Sequence, residues 1–178
     1  MWQLLRNQLS QITRLVHFFF FDLVWFLAVW GREDWLWLTA LSVVALYASA
    51  WRYLWARRYM LITLIGVGLL AEYLMVAMGA IRFTGTDLLP AWLILLWLGF
   101  AAMALVVFTW LKGRYVLAFI AGVIFGPITY FAGVGLGAAE RLTSPMLMAV
   151  GYSLIWGLLM LLVVRMVALG QDKEQRYV

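Results

Sequence analysis

A chain of 178 residues that is 67% hydrophobic and only 12% charged departs from an ordinary soluble domain, which is roughly half apolar and a quarter charged. With no cysteine and a single histidine, His17, disulfides, thiolate chemistry and multi-histidine metal clusters are excluded, and no cofactor or metal is expected. The net charge of +5 calls for no nucleic acid, because membrane proteins carry basic residues where they face anionic lipid.

Six apolar runs approach the length of about 20 residues that crosses a bilayer. They cover 15–30, 35–54, 59–81, 88–111, 115–136 and 145–169. They predict an all-α, polytopic membrane protein, a bundle of six transmembrane helices forming one domain over 1–178. The leader WQLLRNQLSQIT places Trp2, Leu5, Leu9 and Ile12 at helical spacing. It either lies in the interface or extends the first span.

The first span, RLVHFFFFDLVWFLAVWG, follows Arg6 and Arg14 as a signal sequence would. It is crowded with aromatic rings, contains Asp22 and ends without a small-x-small cleavage pattern, so it is expected to be retained. At ~1.5 Å per residue from Leu15, Asp22 lies about 10 Å in, near the midplane. A charged Asp there costs about 3 kcal/mol or more. It is expected to face the bundle interior, to be paired or to carry a proton. His17 is about 140° around the helix from Asp22, so the two share no face. His17 reads as an interfacial aromatic rather than a base.

The second span ends in WRYLWARRY, where Arg52, Arg57 and Arg58 alternate with Trp51, Tyr53, Trp55 and Tyr59. This is either an anchoring belt or a site for a lipid headgroup or acyl carboxylate, since Arg binds both in a bidentate manner. The third span carries Glu72, roughly 20 Å along it. If Glu72 and Asp22 face one cavity, one can serve as proton donor and the other as base. If not, each bonds to a Tyr, Trp or Ser of a neighbouring helix.

The fourth span opens with FTGTDLLPAW, in which Thr86 or Asp87 is placed to cap and Pro90 falls in the first turn. The fifth, AGVIFGPITYFAGVGLGA, follows Ala118 with Gly122 and Gly126 at four-residue spacing, then Gly133 and Gly137. Such a face lets helix backbones approach closely. Pro127 removes a backbone hydrogen bond and is expected to kink the helix, and Tyr130 follows one turn after Gly126. This helix either packs tightly or breaks to line a pocket. The sixth opens with LTSPML, where Ser144 can cap and Pro145 can be the first helical residue.

Ten Lys and Arg fall in the leader, the second and fourth gaps and the tail: Arg6, Arg14, Arg52, Arg57, Arg58, Lys112, Arg114, Arg165, Lys173 and Arg176. Three, Arg32, Arg82 and Arg141, fall on the other side. The positive-inside rule then puts both termini in the cytoplasm. A weak internal echo aligns 66–82 with 122–138, each followed by an aliphatic–Trp pair, Leu96-Trp97 and Ile155-Trp156.

Two segments, LPAWLILLWLGFAAM and GVIFGPITYFAGVGLGA, carry a wider likeness. With Glu72, Pro90, Trp92, Trp97, Phe100, Gly126, Pro127, Tyr130, Gly133 and Gly137, the chain resembles a family of small bacterial inner-membrane proteins of unknown function. Members of that family are often encoded near cyclopropane-fatty-acid synthase-like genes. The resemblance implies a role in envelope lipid or fatty-acid modification and supplies no assigned catalytic residues.

The sequence therefore leads to a multi-pass protein of a bacterial inner membrane. Its partners are expected to be membrane lipids and lipid-modifying enzymes. It is expected to bind an acyl or isoprenoid chain in an aromatic cavity that includes Trp97 and Pro127, with Asp22, Glu72 and Tyr130 as the polar centre and Arg52, Arg57 and Arg58 at the headgroup level. Two alternatives stand beside this one. One is a small proton-coupled transporter or flippase using Asp22 and Glu72. The other is a non-catalytic scaffold whose small-residue face packs a partner helix.

Overall fold

In a computed structural model, residues 2–86 and 88–175 are described, with side chains described for 11–86 and 88–170. Seven α-helices and two short strands follow one another: α1 Trp2–Gly31, α2 Leu36–Ser49, α3 Trp51–Ala56, α4 Arg58–Ala77, β1 Ile81–Phe83, α5 Ala91–Val107, α6 Tyr115–Gly135, β2 Ala139–Arg141 and α7 Pro145–Gln175. A 3-10 turn, Phe108–Leu111, continues α5. The fold is that of an all-α multi-pass membrane protein. Among the described residues, five segments are long and apolar enough to span, and Leu36–Ser49 is a shorter apolar helix.

The expected boundaries need three corrections, and of the two readings of the leader the structure takes the longer first helix. The first helix continues through the leader, where Arg6, Trp2, Leu5 and Leu9 lie outside the described side chains, as do Lys173 and Arg176 in the tail. The second expected span is broken at Ala50, whose φ of −131° and ψ of 25° leave the helical region. The third helix stops at Ala77, and the residues assigned to its end enter β1. Pro90 is the N-cap of α5 with an extended backbone, rather than a first-turn residue, and no side chain caps that helix. Thr86 accepts from the Leu88 amide at 3.2 Å instead, and Asp87 lies outside the described residues. At α7 the reading holds: Pro145 is its first residue and Ser144 Oγ accepts from the Leu147 amide at 3.2 Å.

The helices α4 and α6 end identically. Gly79 (φ 68°) and Gly137 (φ 73°) adopt the left-handed conformation that only glycine enters without cost. The Gly79 and Ala80 amides bond to the Val76 and Met75 carbonyls at 2.9 and 3.0 Å, and the Gly137 and Ala138 amides to those of Val134 and Gly133 at 3.0 and 2.9 Å. Both are Schellman stops. Each leads into a three-residue strand, and the strands pair antiparallel with Arg82 opposite Glu140. The ladder is flanked by Thr84 N–H to Ala138 O and Leu142 N–H to Ala80 O, at 3.0 and 3.1 Å.

All of these contacts map onto one another when Gly79 is superposed on Gly137. The units α4–β1–α5 and α6–β2–α7 are therefore structural repeats that run in the same direction, about a local two-fold axis passing between Arg82 and Glu140. Parallel repeats of this kind recur in membrane proteins. The internal echo in the sequence aligned Gly66 with Gly122, two positions out of the register of these contacts. In the structural register Gly68 matches Gly126 and Glu72 matches Tyr130.

Close approach follows that register in α4 and α6, whereas the tryptophans they meet are displaced by one further position. A Cβ on Gly68 would overlap the Trp97 ring, and one on Gly126 would overlap the Trp156 ring. The two indoles stack on each other, with centroids 5.6 Å apart and planes 23° apart. Gly122 lies against the Trp156 backbone. The Gly122–Gly126 part of the small-residue face of α6 is thus spent inside the chain, against α7, while a Cβ on Gly133 would meet no atom within 4 Å.

Pro127 sits within α6 and is buried. Its missing N–H leaves the Val123 carbonyl, four residues back, without its helical partner. Ser153 of α7 fills that gap, donating to Val123 O at 2.9 Å.

The candidate site

Glu72 projects from α4 on the face that also carries Leu61, Leu64, Gly68 and Met75, all buried. It is 1% exposed. Both its oxygens are engaged. Tyr130 of α6 donates to Oε1, and Tyr152 of α7 donates to Oε2 at 3.2 Å. The Trp97 side chain reaches the same carboxyl group. The two tyrosine rings stack with centroids 3.4 Å apart and planes at 14°. An acid in hydrocarbon needs such donors, since no water is available to replace them. Four helices, α4, α5, α6 and α7, meet at one carboxyl group.

Asp22 is placed differently. Its side chain is exposed on α1, and it does not meet Glu72. It lies on the wall of a long groove with a volume of about 650 Å³. One wall is α1, with Phe18, Phe21 and Trp25; the other is α6, with Ala121, Phe125 and Thr129; α5 forms the floor, with Trp92, Leu96 and Phe100. The groove runs from the strand pair, at Ile81 and Phe83, to the 3-10 turn, at Phe108 and Trp110. Along the 17 residues of α5 that is about 25 Å.

The groove occupies the place where the repeat symmetry breaks. The helix α4 packs against α7, and the symmetry-related contact would be α6 against α5. Instead α6 packs on α7 and stands off from α5. At the strand end α1 and α6 are tied together: Arg32, in a left-handed conformation at φ 46°, donates from Nη1 to Gly137 O at 2.5 Å.

The chain belongs to a protein family. The model for the family described as Protein of unknown function (DUF2878) matches residues 14–162. That stretch contains the groove, the Glu72 centre and both repeats up to Leu162. No curated protein and no solved structure matches this DUF2878 member.

Of the residues expected to form the site, Asp22, Tyr130 and Trp97 line the groove. Glu72 sits behind Tyr130, so the two acids share no cavity. Pro127 is buried in α6, off the groove wall. Arg52 and Arg58 are near the surface, with guanidinium groups over Trp51 at 5.8 Å and over Trp55 and Tyr59 at 5.3 and 4.7 Å. Arg57 turns inward; it is 7% exposed, over the Tyr53 ring at 3.6 Å and against Gly170.

Tyr152 was not legible in the sequence, although it lies one turn before Trp156, the counterpart of Trp97 in the internal echo. The partners of His17 were not legible either. That ring is buried, with Nδ1 2.7 Å from Thr13 O and Nε2 3.0 Å from Ser49 Oγ of α2. Because Thr13 O only accepts, Nδ1 carries a proton. No three of the described His, Asp and Glu side chains gather as metal ligands would.

Proposed function

We propose that this protein binds one lipid chain, acyl or isoprenoid, in the groove between α1 and α6. It does so in a bacterial inner membrane with both termini in the cytoplasm, and it modifies the chain or presents it to lipid-modifying enzymes. The observation that carries this reading is the groove itself: a volume of about 650 Å³, within the range of about 300–1,000 Å³ common for ligand sites. Its walls are aliphatic and aromatic, and it is as long as a helix that crosses the membrane.

Helices in lipid associate through close packing. A lasting gap between α5 and α6, where the repeat symmetry would bring helices together, is best filled by something of lipid's own chemistry. In this reading the Glu72–Tyr130–Tyr152 centre is a fastener that holds α6 and α7 to α4 and so fixes one wall of the groove. Arg52 and Arg58 serve as anchors at the cytoplasmic face. The scaffold reading is weaker, since the Gly122–Gly126 part of the small-residue face of α6 already packs α7.

A stearoyl chain carrying a nitroxide label tests the proposal. With protein in bilayers, the spin spectrum should contain a strongly immobilised component that disappears in Ala121→Trp, where an indole fills the groove. An immobilised fraction unchanged by that substitution would remove the reading.

The groove's reach from one end of α5 to the other, with Asp22 on its wall, also suits a flippase. Reconstituted protein that moves fluorescent phospholipid between leaflets, and stops doing so in Asp22→Asn, would favour that second reading.

A further inference from the structure

The two ends of the groove are unlike. At the strand end the lining is sealed: Ile81, Phe83, Ala138 and Ala139 are all buried, and the Arg32 bond to Gly137 O ties the two walls together. At the 3-10 end the lining is open, with Trp110 and Leu117 each 45% exposed. A lipid with one chain in the groove therefore has its head group at the 3-10 end. Charge separates the ends as well. The three arginines of the strand end are engaged within the protein: Arg32 with Gly137 O, Arg82 with Glu140 at 3.6 Å and Arg141 with Thr143 O. Glu33, Asp34 and Glu140 stand at that end too, so its charges are mixed.

At the 3-10 end an arginine extends each wall. The groove face of α1 is made by Phe18, Phe21, Asp22, Trp25 and Val29, a stripe at helical spacings of three and four. Arg14, half-buried, continues that stripe one turn beyond Phe18. Arg114 directly precedes α6, with its guanidinium group 5.6 Å from the centre of the Trp110 ring. Neither arginine has an ion pair among the described residues. The described acid closest to them on the groove wall is Asp22, about 12 Å deeper than Arg14 along α1.

We infer that the groove takes a lipid with an anionic head group, a carboxylate or a phosphate, which lies at the 3-10 end in the field of Arg14 and Arg114 while one acyl chain runs toward the strand end. The inference rests on the reading of the groove as a lipid-chain site. Arginine is the side chain best suited to both oxyanions. Length agrees with an ordinary acyl chain. An extended chain gains roughly 1.2 Å per bond, as a peptide gains about 3.6 Å over three. The groove's length of about 25 Å then holds about 20 bonds, close to a chain of 18 carbons.

Displacement of methyl 16-doxylstearate from the purified protein tests this in a non-ionic detergent at about pH 9, where a carboxylic acid is ionised. Four probes share one chain length: stearic acid, stearoyl lysophosphatidylglycerol, methyl stearate and stearyltrimethylammonium. The anions should displace the label at least about tenfold better than the ester, and the cation should be weakest. Arg14→Gln and Arg114→Gln should each remove about fivefold of that advantage, the worth of one basic residue beside an anionic lipid surface. Arg82→Gln should remove none. The tighter of the two anions tells carboxylate from phosphate. A second measurement leaves the arginines in place. The chain has no cysteine, so a bimane label is carried by Val116→Cys near the open end or by Leu88→Cys near the strand end, both at exposed positions. 5-Doxylstearate should quench the label at 116 more strongly, and 16-doxylstearate the label at 88. Equal displacement by all four probes, or the reverse order of quenching, overturns the inference while leaving a chain site in place. If no probe displaces the nitroxide ester, the groove reading itself fails.

Discussion

Glu72 and Tyr130 occupy equivalent positions in two structural repeats and are hydrogen-bonded to each other. The bond lies beside the local two-fold axis, close to the stacked pair Trp97 and Trp156. An axis brings equivalent residues face to face, so a single sequence change in one repeat can create a donor–acceptor pair. Here an acid in the first repeat meets a phenol in the second. Tyr152 then takes the remaining oxygen.

Removing that phenol should therefore be costly. Tyr130→Phe leaves Glu72 Oε1 without its donor in a buried site and should destabilise the protein by about 1–3 kcal/mol. Glu72→Gln should also destabilise. The double variant should lose less than the sum of the two, with a coupling of at least about 0.5 kcal/mol. Thermal unfolding of the four proteins in one detergent measures the cycle, and strict additivity would show that the bond carries no energy.

Two glycines in α4 should respond in opposite ways. Gly68→Ala drives a methyl group into Trp97, which is held by its stack on Trp156, and should cost about 1–3 kcal/mol. A Cβ at Gly66 meets no atom within 4 Å, so Gly66→Ala should gain roughly 0.5–1 kcal/mol from helix propensity. The same unfolding measurement checks both. Equal effects would contradict the packing described at Gly68.

The Ser153–Val123 bond should matter only while Pro127 is present. Ser153→Ala strands a half-buried carbonyl and should cost about 1 kcal/mol. In a Pro127→Ala background, residue 127 regains an N–H that reaches Val123 O, and the same substitution should cost at most about 0.5 kcal/mol. A similar loss in both backgrounds would mean that the serine is not serving the proline gap.

Asp22→Asn should leave stability within about 0.5 kcal/mol of wild type, because the carboxyl group is exposed on the groove wall and holds no other helix. Its effect should be on ligand instead. A large drop in melting temperature would place Asp22 in the structural core, against the geometry found.

Much of the architecture was legible because bilayer thickness imposes it: apolar runs of membrane length give helices, and Ser144 with Pro145 marks a helix start wherever it occurs. What was not legible is azimuth. The helix α1 is apolar on nearly every side, so the depth of Asp22 could be counted while its facing could not. The break at Ala50 has no Pro or Gly to announce it. Arg57 was grouped with Arg52 and Arg58 by spacing alone, yet its neighbour across the bundle is Gly170, a contact between distant parts of the chain. Glu72 was identified as an acid needing a partner, and Tyr130 as a hydroxyl lacking one. Their pairing depends on a repeat register that the sequence echo blurred by two positions, because apolar side chains substitute freely for one another in lipid.

The central claim is that the space between α1 and α6 belongs to a lipid chain. Native mass spectrometry of the protein released from mild detergent tests it most directly. The account predicts one retained lipid per chain in the wild type and none in Ala121→Trp at equal folded yield. Bare wild-type protein under conditions that preserve its fold, or a lipid held equally well by the filled variant, would contradict it.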